Sequence, residues 1–377
     1  MTFVRLALVF AGCHRRAGVE RSVWEAARAW RARHDVTVIT AEADADGLDG
    51  IDVRLVSQPD AGGRAFDAAA RAELDRGRFD HVISFGAQDV PATVQWVNSV
   101  HRAWLEASRR FPGNRGLERI PALRYALRSH RERLRVERTY FTQPGMRLVV
   151  CVSDRVGQDL TRLYGTPTEL LRTVPNGFDP AEFDPGRSAR ERASARGHFG
   201  LPAGATVMCM AANELPRKGY DVLLNAIAAT GDAGLHVLLA GRTPPTKYRS
   251  LTTKLGLEDR VRYIGVQSDM GLVHAASDLF VLPTKYEAFC LAIVEALASG
   301  LPVITTDVPG AGDLIVDGSN GRLQHDPNDD AELAALLAQA VDPEVRHGWA
   351  RAARPSVEHL TWSRLFADAE ALLEQAA

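Results

Sequence analysis

Short runs of Val, Ile, Leu and Ala recur along the chain. In the first half they fall at Val4–Phe10, Val36–Thr40, Val53–Val56, His81–Ser84 and Leu148–Val152. In the second half they fall at Thr206–Met210, His236–Ala240, Val261–Ile264, Leu279–Leu282 and Pro302–Thr305. Such continuous apolar runs predict parallel strands covered on both faces, because a half-exposed sheet alternates apolar and polar positions instead. Between them, apolar residues recur at helical spacing over Ser22–Arg33, Val156–Tyr164, Tyr220–Ala229, Ala331–Val341 and Trp362–Gln375. Alternating strand and helix predicts an α/β fold, and the pattern restarts near residue 200, so two doubly wound parallel sheets are expected.

The restart follows Asn176-Gly-Phe-Asp-Pro-Ala-Glu-Phe-Asp-Pro185, a stretch dense in turn formers that reads as the hinge, with residues 186–199 leading into the second sheet. The expected domains are 1–185 and 186–355, with the last helix, within 356–377, crossing back onto the first. No repeat of 20–50 residues is visible. Ligands of doubly wound sheets bind beyond the C-terminal ends of the strands. The loops expected there are Ala11–Gly18, Asn213–Gly219, Arg242–Pro245, Gly265–Asp269 and Thr284–Phe289.

Composition narrows the class. A chain of 377 residues is long for one core, which supports two domains. A net charge of −2 argues against nucleic-acid binding by the chain as a whole. Cys13, Cys151, Cys209 and Cys290 are scattered without C-x-x-C spacing, which argues against a zinc site or a disulfide framework and fits a reducing cytoplasm. No stretch reaches the roughly 18 apolar residues of a membrane span. Phe10-Ala-Gly-Cys13 loosely matches a lipoprotein cleavage box, but the apolar run before it is too short, and it reads as a buried first strand.

The sharpest chemical signal is Glu287-Ala-Phe-Cys-Leu-Ala-Ile-Val-Glu295, with one carboxylate ahead of a predicted helix and one upon it. Eight helical residues rise about 12 Å, close to the span from the ribose of a nucleoside diphosphate sugar to its hexose. The helix N-terminus between the two glutamates offers free N–H groups and the positive end of the macrodipole to a diphosphate. Arg217 and Lys218, between a strand and a helix, place two cations where that diphosphate would approach. Asp44-Ala-Asp46 has the D-x-D spacing of metal-dependent transferases, but lies in a polar loop and reads as turn chemistry. The first-strand loop lacks G-x-G-x-x-G, which disfavours a nicotinamide oxidoreductase.

Taken together these motifs resemble family-4 glycosyltransferases, retaining enzymes of the GT-B architecture. In that architecture two Rossmann-like domains face a cleft. Gly18-Val-Glu20 is similar to the family's glycine-rich loop, Val174-Pro-Asn-Gly-Phe-Asp179 to its segment before the hinge, and Pro216-Arg-Lys-Gly219 to its basic loop. Glu287–Glu295 is similar to its E-x7-E, and Gly310-Ala-Gly-Asp313 with Asp317-Gly-Ser-Asn-Gly321 to its closing loops. Within the family the chain resembles the bacterial lipopolysaccharide core glucosyltransferases, together with similar enzymes that decorate glycolipids or secondary metabolites.

The resemblance implies a retaining, metal-independent transfer from a nucleotide diphosphate sugar, a UDP-sugar by preference, to an acceptor hydroxyl on a glycolipid, polysaccharide precursor or secondary metabolite, with no cofactor. It implies catalytic roles for His101, Arg217, Lys218 and Glu287. Gly18, Arg217, Lys218, Arg242, Val266, Glu287, Phe289, Cys290 and Glu295 would hold the donor: Glu295 on the ribose, Glu287 near C3 of the sugar, the N–H groups of Phe289 and Cys290 on the phosphates. His14 is a weaker candidate, and His81 reads as structural. Two departures stand out. Many relatives carry an arginine six positions before the lysine, where this chain has Ala212, and Cys290 stands where glycine is common.

From Arg102 to Arg138 the chain carries eleven arginines against four glutamates, with Trp104, Phe111, Leu123, Tyr125, Leu127 and Leu134 interleaved. Such a segment fits peripheral contact with an anionic membrane at its cytoplasmic face, or a solvated helix with pairs such as Arg128–Glu132. No nucleic-acid recognition module accompanies the charge. Two other classes stay open: a nucleotide-sugar 2-epimerase on the same architecture, and a non-catalytic nucleotide-sugar-binding protein.

Overall fold

The computed structural model describes residues 3–15, 18–44, 46–57, 64–108, 128–308, 310 and 312–375. Two compact units emerge, divided between Asn176 and Gly177 and again between Thr361 and Trp362; the segment from Trp362 belongs with the first unit.

The first unit holds a seven-stranded, wholly parallel sheet: β1 (Arg5–Val9), β2 (Asp35–Thr40), β3 (Asp52–Leu55), β4 (His81–Phe85), β5 (Val94–Val97), β6 (Leu148–Cys151) and β7 (Leu171–Thr173). Their spatial order is β3-β2-β1-β4-β5-β6-β7. Leu6, Ala7, Leu8 and Val9 are fully buried, as a central strand covered on both faces requires. One face packs Ala7, Val9 and Ile39 against Phe66, Ala70 and Leu74 of helix Arg64–Arg76. Fully burying each large apolar side chain contributes about 1.5–3 kcal/mol. Against the sheet stands an aromatic cluster of Trp30, Phe85, Trp96 and Phe366, with Trp96 5.4 Å from both Phe85 and Phe366. Phe366 lies on the helix Trp362–Gln375, and Trp30 Nε1–H donates to its carbonyl at 3.0 Å. A buried His34–Glu370 contact of 3.1 Å adds a second tie for that helix.

The second unit repeats the plan with β8 (Thr206–Ala211), β9 (Leu235–Ala240), β10 (Val261–Gly265), β11 (Leu279–Leu282), β12 (Val303–Thr306) and β13 (Gly321–Gln324), in the order β10-β9-β8-β11-β12-β13. Again every pairing is parallel. In both units the order reverses beside the first strand, at β1/β4 and at β8/β11, and this reversal opens a crevice at the strand ends.

Residues 186–199, expected to lead into the second sheet, do so mostly as a helix, Pro185–His198. Asp184 caps it, accepting from Arg187 N–H at 2.7 Å, and Pro185 sits where a missing N–H costs nothing. The helix buries only Ala195; arginines fix it instead, Arg187 on Glu191 at 3.0 Å and on Asp269, and Arg192 on Asp278.

Candidate active site

The reversal in the second unit brings two loops together. One follows β8 and carries Arg217 and Lys218; the other follows β11 and carries Thr284 and Glu287. Gly219 makes the approach possible. Its φ is +73°, and a Cβ there would lie 2.0 Å from the carbonyl oxygen of Pro283. Lys285 N–H then donates to the Arg217 carbonyl at 2.8 Å and locks the loops. Gly219→Ala therefore combines backbone strain with a clash and should cost more than about 1 kcal/mol, seen as a lower melting temperature. Gly310, at φ +88°, brings the loop after β12 in the same way, its virtual Cβ 2.6 Å from the Ala288 carbonyl oxygen.

Glu287 is buried. Its Oε1 takes Arg217 Nη1 at 2.8 Å, Thr284 Oγ1 at 3.0 Å and an ion pair from Lys218. Its Oε2 has no partner among the described residues, which leaves one acceptor for a ligand hydroxyl. Burial pushes the Glu287 carboxyl up, but the charges of Lys218 and Arg217, with hydrogen bonds from Lys218 and Thr284, outweigh it, so its pKa lies below the usual value. Arg217 also donates to Glu214 Oε2 and to the Tyr286 carbonyl, at 2.8 and 2.7 Å. Arg217 and Lys218 thus face two carboxylates, buried Glu287 and exposed Glu214, so the charges of the loop junction balance.

Four residues after Glu287 begins the helix Leu291–Ala298, and Cys290, at its N-cap, makes no side-chain capping bond. In its first turn the N–H of Ile293 donates to the Cys290 carbonyl at 3.1 Å, while those of Leu291 and Ala292 have no intrahelical acceptor. Glu295 lies on this helix, half-buried. The helical rise estimated from the spacing is thus corrected: only the steps from 291 to 295 are helical, about 6 Å, and the preceding loop supplies the rest. Burial raises the Cys290 thiol, and Lys218 Nζ stands 3.9 Å from its sulfur; a neutral buried thiol fits a packing role and not a nucleophile. Phe289 is half-buried. Val266 and Arg242 are exposed on the loops after β10 and β9, Arg242 N–H donating to Asn213 Oδ1 at 2.8 Å. Ala212, at the end of β8, is buried and supplies no charge.

In the first unit Gly18 opens the helix Gly18–Trp30, and a Cβ there would meet open space. Ser22 Oγ lies 3.1 Å from both the Gly18 carbonyl and Asn176 Oδ1, so the residue before the unit boundary is tied to the glycine loop. His101 opens the helix His101–Ala107. Its N–H donates to Glu137, its Nε2 is 3.0 Å from His130 Nδ1, and its ring stacks on Trp104 at 5.5 Å. Burial, Arg133 and His130 together push its pKa down to about 4. The folded state therefore resists protonation, and His101's contribution to stability, present above about pH 6.5, is lost as pH falls toward 4. Imidazole NMR should find His101 neutral at pH 6.

His14 and His81 are buried, and burial pushes the His81 pKa down. Asp44 accepts from Arg15 N–H at 3.2 Å, a turn contact, while Ala45 lies outside the described residues. No group of metal-ligating side chains occurs among the described residues. Phe111, Leu123, Tyr125 and Leu127, and the side chain of Arg128, also lie outside them.

Comparison with known families covers both halves. Residues 16–182 match Glycosyltransferase Family 4, and residues 191–355 match Glycosyl transferases group 1. Each half of the chain thus carries a domain of a glycosyltransferase family. A D-inositol 3-phosphate glycosyltransferase of Saccharomonospora viridis is 36% identical over 234 residues, which cover 58% of this chain and 53% of that relative. The chain thus spans about half the length of the curated relatives it matches. Among solved structures, WaaG, a glycosyltransferase involved in lipopolysaccharide biosynthesis, superposes with a TM-score of 0.83 at 23% identity over 97% of this chain and 99% of that one. Anabaena HepE in complex with UDP-glucose gives 0.77 at 19% identity over 99% and 100%. The fold of this chain is therefore that of WaaG, the GT-B architecture.

Sequence reasoning singled out Arg217, Lys218 and Glu287, which the fold gathers at one loop junction. It missed Thr284, whose hydroxyl fixes Glu287 Oε1, and Glu137 and His130, which hold His101. Thr284 directly follows Pro283 in the motif and was open to recognition; Glu137 is 36 residues from His101 and carried no local signal.

Proposed function

We propose that this protein transfers a sugar from a nucleotide diphosphate donor, a UDP-sugar by preference, to an acceptor hydroxyl on a glycolipid, polysaccharide precursor or secondary metabolite, retaining the anomeric configuration without a metal. The observation that carries the reading is the loop junction of the second unit. The paired cations Arg217 and Lys218, a carboxylate with one oxygen to spare, and a helix N-terminus without a side-chain cap adjoin one another there. HepE, with the same fold, was crystallised with UDP-glucose, which supports the donor class.

In this reading Lys218 and the backbone N–H groups of Phe289 and Cys290 stabilise charge growing on the leaving diphosphate. Glu287 Oε2 accepts a donor-sugar hydroxyl, and Glu295 accepts from the ribose. The Gly265–Gln267 loop with Val266 and Arg242 borders the base, and Gly18 and His101 serve the transferred sugar. The bond from C1 to the phosphate oxygen breaks as the acceptor oxygen attacks the same face. The acceptor proton passes to the departing phosphate, so no carboxylate nucleophile is needed.

The helix Arg128–Phe141 exposes Arg131, Arg133, Arg135 and Arg138, which supports peripheral contact with anionic lipid. No helix among the described residues is long and apolar enough to cross a membrane.

The test is incubation with UDP- and GDP-sugars in excess EDTA, followed by NMR. Slow release of UDP and of sugar that first appears in the donor's anomeric form is expected. An interconverted donor would mark an epimerase, and binding without turnover a binding protein.

A further inference from the structure

The arginine-rich helix Arg128–Phe141 has a second face. His130 and Glu137 are seven residues apart, two helical turns, and so share one side of it. Both engage His101. Residue 100, before the helix His101–Ala107, is a valine and cannot cap it. Its first two orphan N–H groups, those of His101 and Arg102, are instead taken by the two oxygens of Glu137, the second at 3.1 Å. Tyr164 donates to the same carboxylate at 2.6 Å. Glu137 is only 3% exposed, and a buried carboxylate is tolerated when its oxygens are filled in this way.

The ring is held separately. The 3.0 Å contact between His101 Nε2 and His130 Nδ1 requires one nitrogen to carry a proton and the other to lack it. His130 therefore couples the His101 tautomer to its own, and stacking on Trp104 at an interplanar angle of 13° restrains its tilt. His101 Nδ1 has no partner among the described residues, so it is the ring nitrogen left for a substrate hydroxyl.

We propose that Glu137 and His130 are positioning residues for His101, the first fixing its backbone and the second its tautomer. This rests on the reading that His101 serves the transferred sugar.

The test uses the full chain and steady-state turnover of the donor that the nucleotide-sugar assay identifies. His101→Ala sets the reference. Glu137→Gln and His130→Ala should each lower kcat about tenfold or more, with donor KM little changed, because misplacing a reacting group costs rate before it costs binding. His130→Asn, which keeps a hydrogen-bonding amide near Nδ1, should recover much of that loss. Nitrogen-15 NMR should show a changed His101 tautomer in His130→Ala. If His101→Ala cuts turnover but Glu137→Gln and His130→Ala keep wild-type kcat and lower only the melting temperature, the positioning role is overturned. If His101→Ala itself turns over normally, the reading of His101 falls, and this proposal with it. Should Glu137→Gln fail to fold, the two His130 variants decide.

Discussion

Glu287→Ala should lower stability by about 3 kcal/mol, the low end for breaking a buried ion pair, and abolish most turnover. The carboxylate sits between Arg217 and Lys218, and both cations lose their common partner when it goes. Lys218 is buried, so its charge has little water to turn to, whereas Arg217 keeps Glu214 and the Tyr286 carbonyl. For a unit of this size the loss appears as a fall in melting temperature of roughly 6–12 °C. The pH dependence has a definite sign. The folded pKa of Glu287 lies below its unfolded value of about 4.3, so its contribution is complete above that pH and fades as pH falls further. The gap between wild type and Glu287→Ala should therefore narrow in acid. A gap independent of pH between 7 and 3 would mean that the ion cluster contributes nothing.

Lys218→Ala should behave differently, with kcat falling about 10²–10³-fold, as for removal of one preorganised donor at a developing anion. Donor KM should change much less, because the leaving group carries more charge in the transition state than in the bound donor. Burial removes competing water, and the contact with Glu287 keeps the ammonium group in place before the donor arrives. Loss confined to KM would assign Lys218 to ground-state binding alone.

The central strands were legible because each is a continuous apolar run; Leu279–Leu282 coincides with the expectation, and the others differ by a residue or two at their ends. Three strands of the two large sheets escaped. Val94–Val97 is interrupted by Gln95, whose amide is buried on the Tyr140 carbonyl. Leu171–Thr173 and Gly321–Gln324 are edge strands with polar residues and little apolar signal. Gly321 read as the end of a loop, yet it is the first residue of its strand, where a Cβ would fall 1.9 Å from the Val303 carbonyl oxygen. The helix Pro185–His198 escaped because its partners are ionic and distant in sequence, Asp269 and Asp278 among them. The same limit applied to chemistry. The spacing of Glu287 and Glu295 was visible, but the capture of Glu287 Oε1 by residues about seventy positions earlier was not.

The most direct measurement is a calorimetric titration of UDP into the wild type and into Glu295→Ala. The wild type should bind saturably. Loss of the carboxylate should weaken binding by about 1.5–3 kcal/mol, roughly 10–100-fold in Kd, as expected for hydrogen bonds to a charged group. Equal affinity in the two proteins, with both folded at the titration temperature, would contradict the claim that the segment from Glu287 to Glu295 grips the nucleotide.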